Sequence, residues 1–397
     1  MSLISERVNA LAASATLAMS QKSAELRAQG VDVINMSVGE PDFDTPGFIK
    51  EAAQRAIDDN FTRYTPVAGY LSLREAICDK LTRENGFDYK PSQIVVGNGA
   101  KQELCNVLLA TVNPGDEVII PVPAWVSYLE MVKLAEGVPV TIHAGVESDF
   151  KITAPMLEEA ITPRTKVVMF NSPSNPTGSV YSYEELRALA EVLERHPEVI
   201  VLSDEIYEHI NFVDKIHSIS SFGNLKDRTV VVNGVSKAYA MTGWRVGYMA
   251  GPEPIAKAVT KLQGQYTSGA SSIAQKAAEA AYRGPQECVA EMREAFRRRR
   301  DLIVELAAGI PGWRCNVPQG AFYLFPEVSS LIGLRAGDRE ILSSGDYVMY
   351  LLEEAHVAAV DGAAFPPMAK LWKPIFPKRC PGRLSKRRSP SPKMAWS

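Results

Sequence analysis

The sequence predicts an α/β protein: a large domain with a mostly parallel seven-stranded sheet covered by helices, plus a smaller α/β domain from both chain ends. Three observations carry this. Between about Gln93 and Gly251, seven short apolar runs alternate with amphipathic stretches. Near-continuous apolar strands separated by helices require a mostly parallel sheet covered on both faces. The chain has 397 residues, enough for a large core and two domains, and its 46% hydrophobic and 22% charged content is that of an ordinary globular protein.

Taken in order, the expected strands are Gln93–Val96, Glu117–Pro121, Val138–His143, Lys166–Phe170, Val199–Leu202, Thr229–Val232 and Val246–Ala250. Each is short, apolar and bounded by polar or turn-forming residues. An amphipathic helix is expected over Glu184–Arg195, where Ser182 and Glu185 have the spacing of a capping box. A long polar helix is expected over Val289–Ala307. Its run Arg297–Arg300 is interleaved with Glu291, Glu294, Asp301 and Glu305, the pattern of a paired, solvated face rather than a nucleic-acid surface. Gly320–Phe325 reads as a strand, and a helix follows near Asp346–Ala355. The expected organisation is residues 1–45 as an arm and part of the small domain, 46–288 as the large domain, and 289–365 as a linking helix and the rest of the small domain.

Composition narrows the function. No apolar run reaches the length of a membrane span, and Met1–Ser20 lacks a signal-peptide block, so a cytoplasmic protein is expected. The five cysteines are odd in number and scattered without a CxxC pair, and the five histidines lack metal spacing, so no metal is expected. His209 reads as an ordinary polar residue near a strand end. The net charge of −3 conceals a split: residues 366–397 hold nine basic residues, seven prolines and no acid, which leaves −12 on the rest. Prolines so spaced fit neither a core strand nor a helix, and this stretch is expected to be an aberrant, disordered basic tail.

The chemistry is expected at strand ends, where open α/β sheets bind ligands. Lys237 lies in a short loop between two core strands, with Ser236 before it and Arg245 eight positions on. A buried amine is costly and is retained for chemistry; a solvated surface lysine is the alternative. Gly97-Asn98-Gly99-Ala100-Lys101 joins a strand to a helix. Such a turn bares backbone amides that bind anions, though an ordinary glycine-rich turn reads the same. Asp204 and Tyr207 follow one strand, Trp125 follows another, and Asn175 lies in Asn175-Pro176-Thr177-Gly178. Singly, these are also what a polar strand end, a core tryptophan and a plain turn look like.

Together, from Gly39-Glu40-Pro41-Asp42-Phe43 to Gly320-Ala321-Phe322-Tyr323, these motifs stand in the order found in class I aminotransferases, enzymes using pyridoxal 5′-phosphate. The chain resembles that family over about residues 5–365, and within it the bacterial aspartate aminotransferases. The resemblance implies that Lys237 forms a Schiff base with the cofactor aldehyde and abstracts the substrate Cα proton. It implies that Asp204 pairs with the pyridine nitrogen, and that Asn175 and Tyr207 bond the ring hydroxyl. It puts Gly99, Ala100, Lys101, Ser236 and Arg245 around the phosphate and Trp125 against the ring. Tyr64 would reach the phosphate of a neighbouring subunit, which implies a homodimer with shared active sites. Gly39, Lys101, Trp125 and Asn175 would meet the substrate, Lys101 at a distal carboxylate. The partners implied are an amino acid and a 2-oxo acid, with no nucleic acid and no membrane.

The pattern breaks at the end. The family closes with an arginine that clamps the α-carboxylate, expected roughly ten residues past Phe365 by this likeness. Gly382-Arg383-Leu384-Ser385 echoes that motif but lies too far along, and Lys386 follows it; Arg379 is the other candidate. The functional expectation is transamination between aspartate or glutamate and a 2-oxo acid. The alternatives are another enzyme of the same cofactor class, a lyase or decarboxylase, or a cofactor-binding protein whose altered C-terminus impairs catalysis.

Overall fold

Seven apolar runs become one sheet in the computed structural model, which describes residues 3–12 and 15–365. The tail 366–397, with Arg379 and Arg383, lies outside the described residues. The strands are β1 Ile34–Asn35, β2 Ile94–Gly97, β3 Glu117–Val122, β4 Val138–His143, β5 Thr165–Asn171, β6 Ile200–Asp204, β7 Thr229–Gly234, β8 Gly247–Ala250, β9 Arg335–Ala336, β10 Arg339–Glu340 and β11 Val357–Ala358. The large sheet has the order β2-β8-β7-β6-β5-β3-β4. Strands β3 to β7 run parallel, and β8 runs against both its neighbours. This is the expected α/β fold with its mostly parallel seven-stranded sheet.

Successive strand residues point to opposite faces, and both faces are covered. Val118, Ile120 and Val122 of β3 pack with Leu104, Val107 and Leu108 of the helix Ala100–Thr111. Ile119, with Val168 and Phe170 of β5, packs with Leu186, Leu189 and Leu193 of the helix Tyr183–Glu194. That second helix starts at the expected capping box: Ser182 Oγ accepts from Glu185 N, and the Glu185 carboxylate accepts from Ser182 N. All five parallel strands deliver their carboxyl ends to one edge, where a ligand meets open backbone and side chains.

The two ends of the described chain meet. β1 pairs parallel with β11, over a cluster of Val33, Leu352 and Ala358 with Met19 and Leu26. The helix Glu287–Ala308 pairs Arg297 and Arg298 with Glu294 and Arg300 with Asp301, whereas Arg299 reaches Asp42.

One expected strand is absent. Gly320–Phe325 forms only the bridge Asn211–Gly320, because Ala321 turns to φ 54° and breaks the extended run. The turn sends Phe322 onto Phe296, with ring centroids 5.2 Å apart, and Tyr323 onto Tyr207, at 5.6 Å. Among the described residues, no helix is long and apolar enough to cross a membrane, and Cys78, Cys105, Cys288 and Cys315 are unbridged.

Candidate active site

Lys237 stands in the turn between β7 and β8, and its Nζ donates to the carbonyl of Gly39 at 2.5 Å. The ammonium faces the rings of Tyr207 and Phe322, 5.7 and 5.6 Å from their centroids. Burial pushes its pKa down to about 8; Glu40 and Asp204 pull it up, and Arg245 pushes it further down. A lysine so placed has a substantial neutral fraction at physiological pH, which a nucleophile and a proton acceptor both need. Ser236, beside it, is buried.

Asp204 is the last residue of β6 and is fully enclosed. Burial raises its carboxyl to about 6, against the pull of the Tyr128 hydroxyl, the Ile206 amide and Lys237. Tyr128 donates to Oδ2 at 2.6 Å and the Ile206 amide to Oδ1 at 3.2 Å. Tyr128 was not singled out in the sequence. It lies three residues past Trp125, its amide donating to the Trp125 carbonyl at 3.0 Å, and their rings meet edge to face at 5.5 Å. Trp125 in turn carries the Lys101 ammonium over its face at 4.9 Å. Burial, then Arg245, depresses the Lys101 pKa.

Tyr207 and Asn175 converge on one atom. The Tyr323 hydroxyl lies 2.6 Å from that of Tyr207 and accepts from Asn175 Nδ2 at 3.3 Å. Asn175 is anchored through its own amide to Asn171 Oδ1 at 2.7 Å, and Asn171 Nδ2 donates to the Asp204 carbonyl at 2.9 Å. Tyr323 closes the motif Gly320-Ala321-Phe322-Tyr323, which by itself assigns it no role.

The turn Gly97–Lys101 opens the helix Ala100–Thr111. Gly99 has φ 89°, and a Cβ there would fall 2.4 Å from Arg245 Nη2. Arg245, itself at φ 57°, donates from Nη2 to the Asn98 carbonyl and from Nη1 to the Thr242 carbonyl. Backbone and guanidinium thus approach as closely as only glycine permits. Tyr64 does not join the site of its own chain; its side chain is wholly exposed.

These residues fit pyridoxal phosphate by their chemistry. Lys101 and Arg245 gather cationic charge at the N-terminus of the helix Ala100–Thr111, as a phosphate dianion requires. A buried carboxylate suits a protonated ring nitrogen. Tyr207 and Asn175 already hold a phenolic oxygen, that of Tyr323, and so are suited to an aromatic hydroxyl.

The family profile "Aminotransferase class I and II" matches residues 31–370. An aspartate/prephenate aminotransferase of Cereibacter sphaeroides is 52% identical over 368 residues, 92% of either chain. An aspartate aminotransferase of Geobacillus stearothermophilus is 49% identical over 367 residues, 91% of either. Among solved structures, the Rhizobium meliloti aspartate aminotransferase superposes with a TM-score of 0.89 at 45% identity, covering 92% of both chains. That of Thermus thermophilus with maleate gives 0.86 at 43%, covering 92% of this chain and 93% of the other.

Fold and site together define an enzyme of amino-group transfer. The chain belongs to the class I and II aminotransferases, and its reaction is transamination between an amino acid and a 2-oxo acid. The family implies pyridoxal phosphate as cofactor.

Proposed function

We propose that this aminotransferase acts on aspartate or glutamate with a 2-oxo acid, holding pyridoxal 5′-phosphate on Lys237. The carrying observation is the enclosed amine of Lys237, its pKa lowered by burial, set between the Gly39 carbonyl and the Tyr207 ring. When bound, the cofactor supplies an aldehyde carbon and an electron-accepting ring. Lys237 Nζ would hold the aldehyde, and as a free amine it would take the proton from the substrate Cα. Asp204 Oδ keeps the ring nitrogen protonated, and Tyr128 keeps Asp204 oriented. Tyr207 and Asn175 donate to the ring hydroxyl.

The amides of Gly99, Ala100 and Lys101, with Ser236 and Arg245, would hold the phosphate. Trp125 covers the ring face and excludes water. Gly39 meets the α-carboxylate. Lys101 above Trp125 meets a distal carboxylate, which favours an acidic substrate; the Thermus relative was solved with maleate, itself a dicarboxylate. The exposed Tyr64 supports a homodimer in which it serves the neighbouring subunit's phosphate. A cytoplasmic location accords with the absence of a membrane-spanning helix among the described residues. We assign residues 46–288 to the large domain, 1–45 and 289–365 to the arm and small domain, and no role to 366–397. Borohydride reduction of the loaded protein and peptide mapping test the reading. The label is expected on Lys237, and a label on any other lysine overturns it.

A further inference from the structure

Beneath Tyr207 lies a second cluster that the chemistry above does not use. Glu84, Glu208 and His209 bring ligand atoms within 4.8 Å of one another, the arrangement of a metal site. The cation among them belongs to the chain. Lys80, fully buried at the end of the helix Leu71–Lys80, donates from Nζ to Glu208 Oε1 and to Asn85 Oδ1, the latter at 2.9 Å, and lies 3.6 Å from Glu84. His209 Nε2 meets Glu84 Oε2 at 2.8 Å, so His209 is a member of this cluster rather than an ordinary polar residue. A one-turn π-helix, Leu81–Asn85, follows Lys80 directly and sets Glu84 and Asn85 back toward it.

Glu208 is the centre of this cluster. Besides Lys80, its carboxylate accepts from Asn85 Nδ2 at 3.0 Å and from Asn233 Nδ2 at 2.6 Å. Burial pushes its pKa up, but Lys80, His209 and the Asn85 bond together hold it below the usual carboxylate range. Its position in the chain gives this meaning. Glu208 follows Tyr207 in the turn after β6, and Asn233 lies in β7 four residues before Lys237. Asn233 Oδ1 also accepts the Gly234 amide at 2.7 Å, at the start of the lysine loop.

We infer that Glu208 is a positioning residue of the active site: its carboxylate, neutralised by Lys80, ties the turn that carries Tyr207 to the strand end that carries Lys237. The inference rests on the proposed roles of Tyr207 and Lys237. A buried ion pair is a poor source of net stability, because desolvation offsets the attraction. Its use lies in fixing one geometry, and misplacement of reacting groups by about 1 Å costs roughly a hundredfold in rate. Three donors around one carboxylate, from Lys80, Asn85 and Asn233, leave the two loops a single register.

The test uses the full chain without cofactor and reads the titration midpoint of Lys237 by competitive acetylation and peptide mapping. The variants are Glu208→Gln and Asn233→Ala; the second removes the bond to Glu208 together with that to the Gly234 amide and leaves the Lys80–Glu208 pair intact. Loosening should let water reach Lys237 and raise its midpoint by about half a unit or more toward the ordinary lysine value. In the loaded enzyme, kcat should fall roughly tenfold while KM changes less. If Asn233→Ala folds and leaves both midpoint and kcat unchanged, the inference is wrong, whatever Glu208→Gln does to stability. Failure of borohydride to label wild-type Lys237 would instead strike the proposed function, and the acetylation midpoint would still decide the positioning role.

Discussion

The Tyr128 hydroxyl donates to Asp204 Oδ2 at 2.6 Å, with both groups sealed from solvent. One bond thus connects the helix Ser127–Leu134, which follows Trp125, to the end of β6. It opposes the burial that raises the Asp204 carboxyl to about 6, and so widens the pH range over which that carboxylate can face a cationic ring.

Tyr128→Phe should therefore raise the Asp204 pKa further. The rate of the half-reaction with aspartate should fall about tenfold near pH 6 and recover as the pH rises, since a hydrogen bond to a charged group is worth about 1.5–3 kcal/mol. The measurement is a pH profile of single-turnover rates. An equal loss at every pH would mean that Tyr128 supports Trp125 and the ring face rather than the ionisation of Asp204.

Lys101→Ala should harm aspartate turnover more than alanine turnover, because only the acidic substrate has a distal carboxylate to lose. A difference of roughly 10- to 100-fold in relative kcat/KM is expected for one charge-assisted contact. Equal losses for both substrates would confine Lys101 to phosphate binding.

The family match ends at residue 370, where the basic, proline-rich composition has begun. Arg383→Ala and Arg379→Ala should leave KM for aspartate unchanged. A chain ending with the family's arginine-bearing strand and helix in place of 366–397 should gain roughly a hundredfold in kcat/KM, since truncating one side of a buried charge pair costs about 2–5 kcal/mol. A large rise in KM on Arg383→Ala would make that residue the carboxylate clamp.

What could be read from the sequence follows the distance over which each cause acts. The strands are local facts: β4 occupies Val138–His143 as expected, and the others shift by a residue or two at their ends. Lys237, Asp204, Asn175 and Gly99 stand at strand ends or turns that are legible locally, but the family resemblance, not those marks, singles them out. Tyr128 and Tyr323 could not be found that way. Their partners Asp204 and Tyr207 lie 76 and 116 positions away, and only a folded sheet brings them together. The cluster around Glu208 draws Lys80 from 128 positions away, and no spacing rule reports it. The expected strand at Gly320–Phe325 failed for the opposite reason: an apolar aromatic run fits a strand locally, but the left-handed turn at Ala321 sends its rings into the site instead.

Asp204→Asn should separate stability from function. In the cofactor-free chain the folded carboxyl titrates at about 6 against an ordinary value of 3.8. A folded pKa above the unfolded one means that the folded state binds the proton more tightly. The stability associated with Asp204 is therefore complete below about pH 4 and is lost as the pH rises through 6. For a fully enclosed group this amounts to about 3 kcal/mol. Asparagine has no proton to lose, so the variant should gain on the wild type between pH 4 and pH 7, seen as a few degrees in cofactor-free melting temperature. The same change removes the carboxylate proposed to face the ring nitrogen, and the half-reaction should slow by roughly 30- to 1000-fold, or about 2–4 kcal/mol in the transition state. A variant that melts below the wild type equally at both pH values would show that Asp204 carries its charge without strain. A variant with near-normal rate would show that another group holds the ring nitrogen.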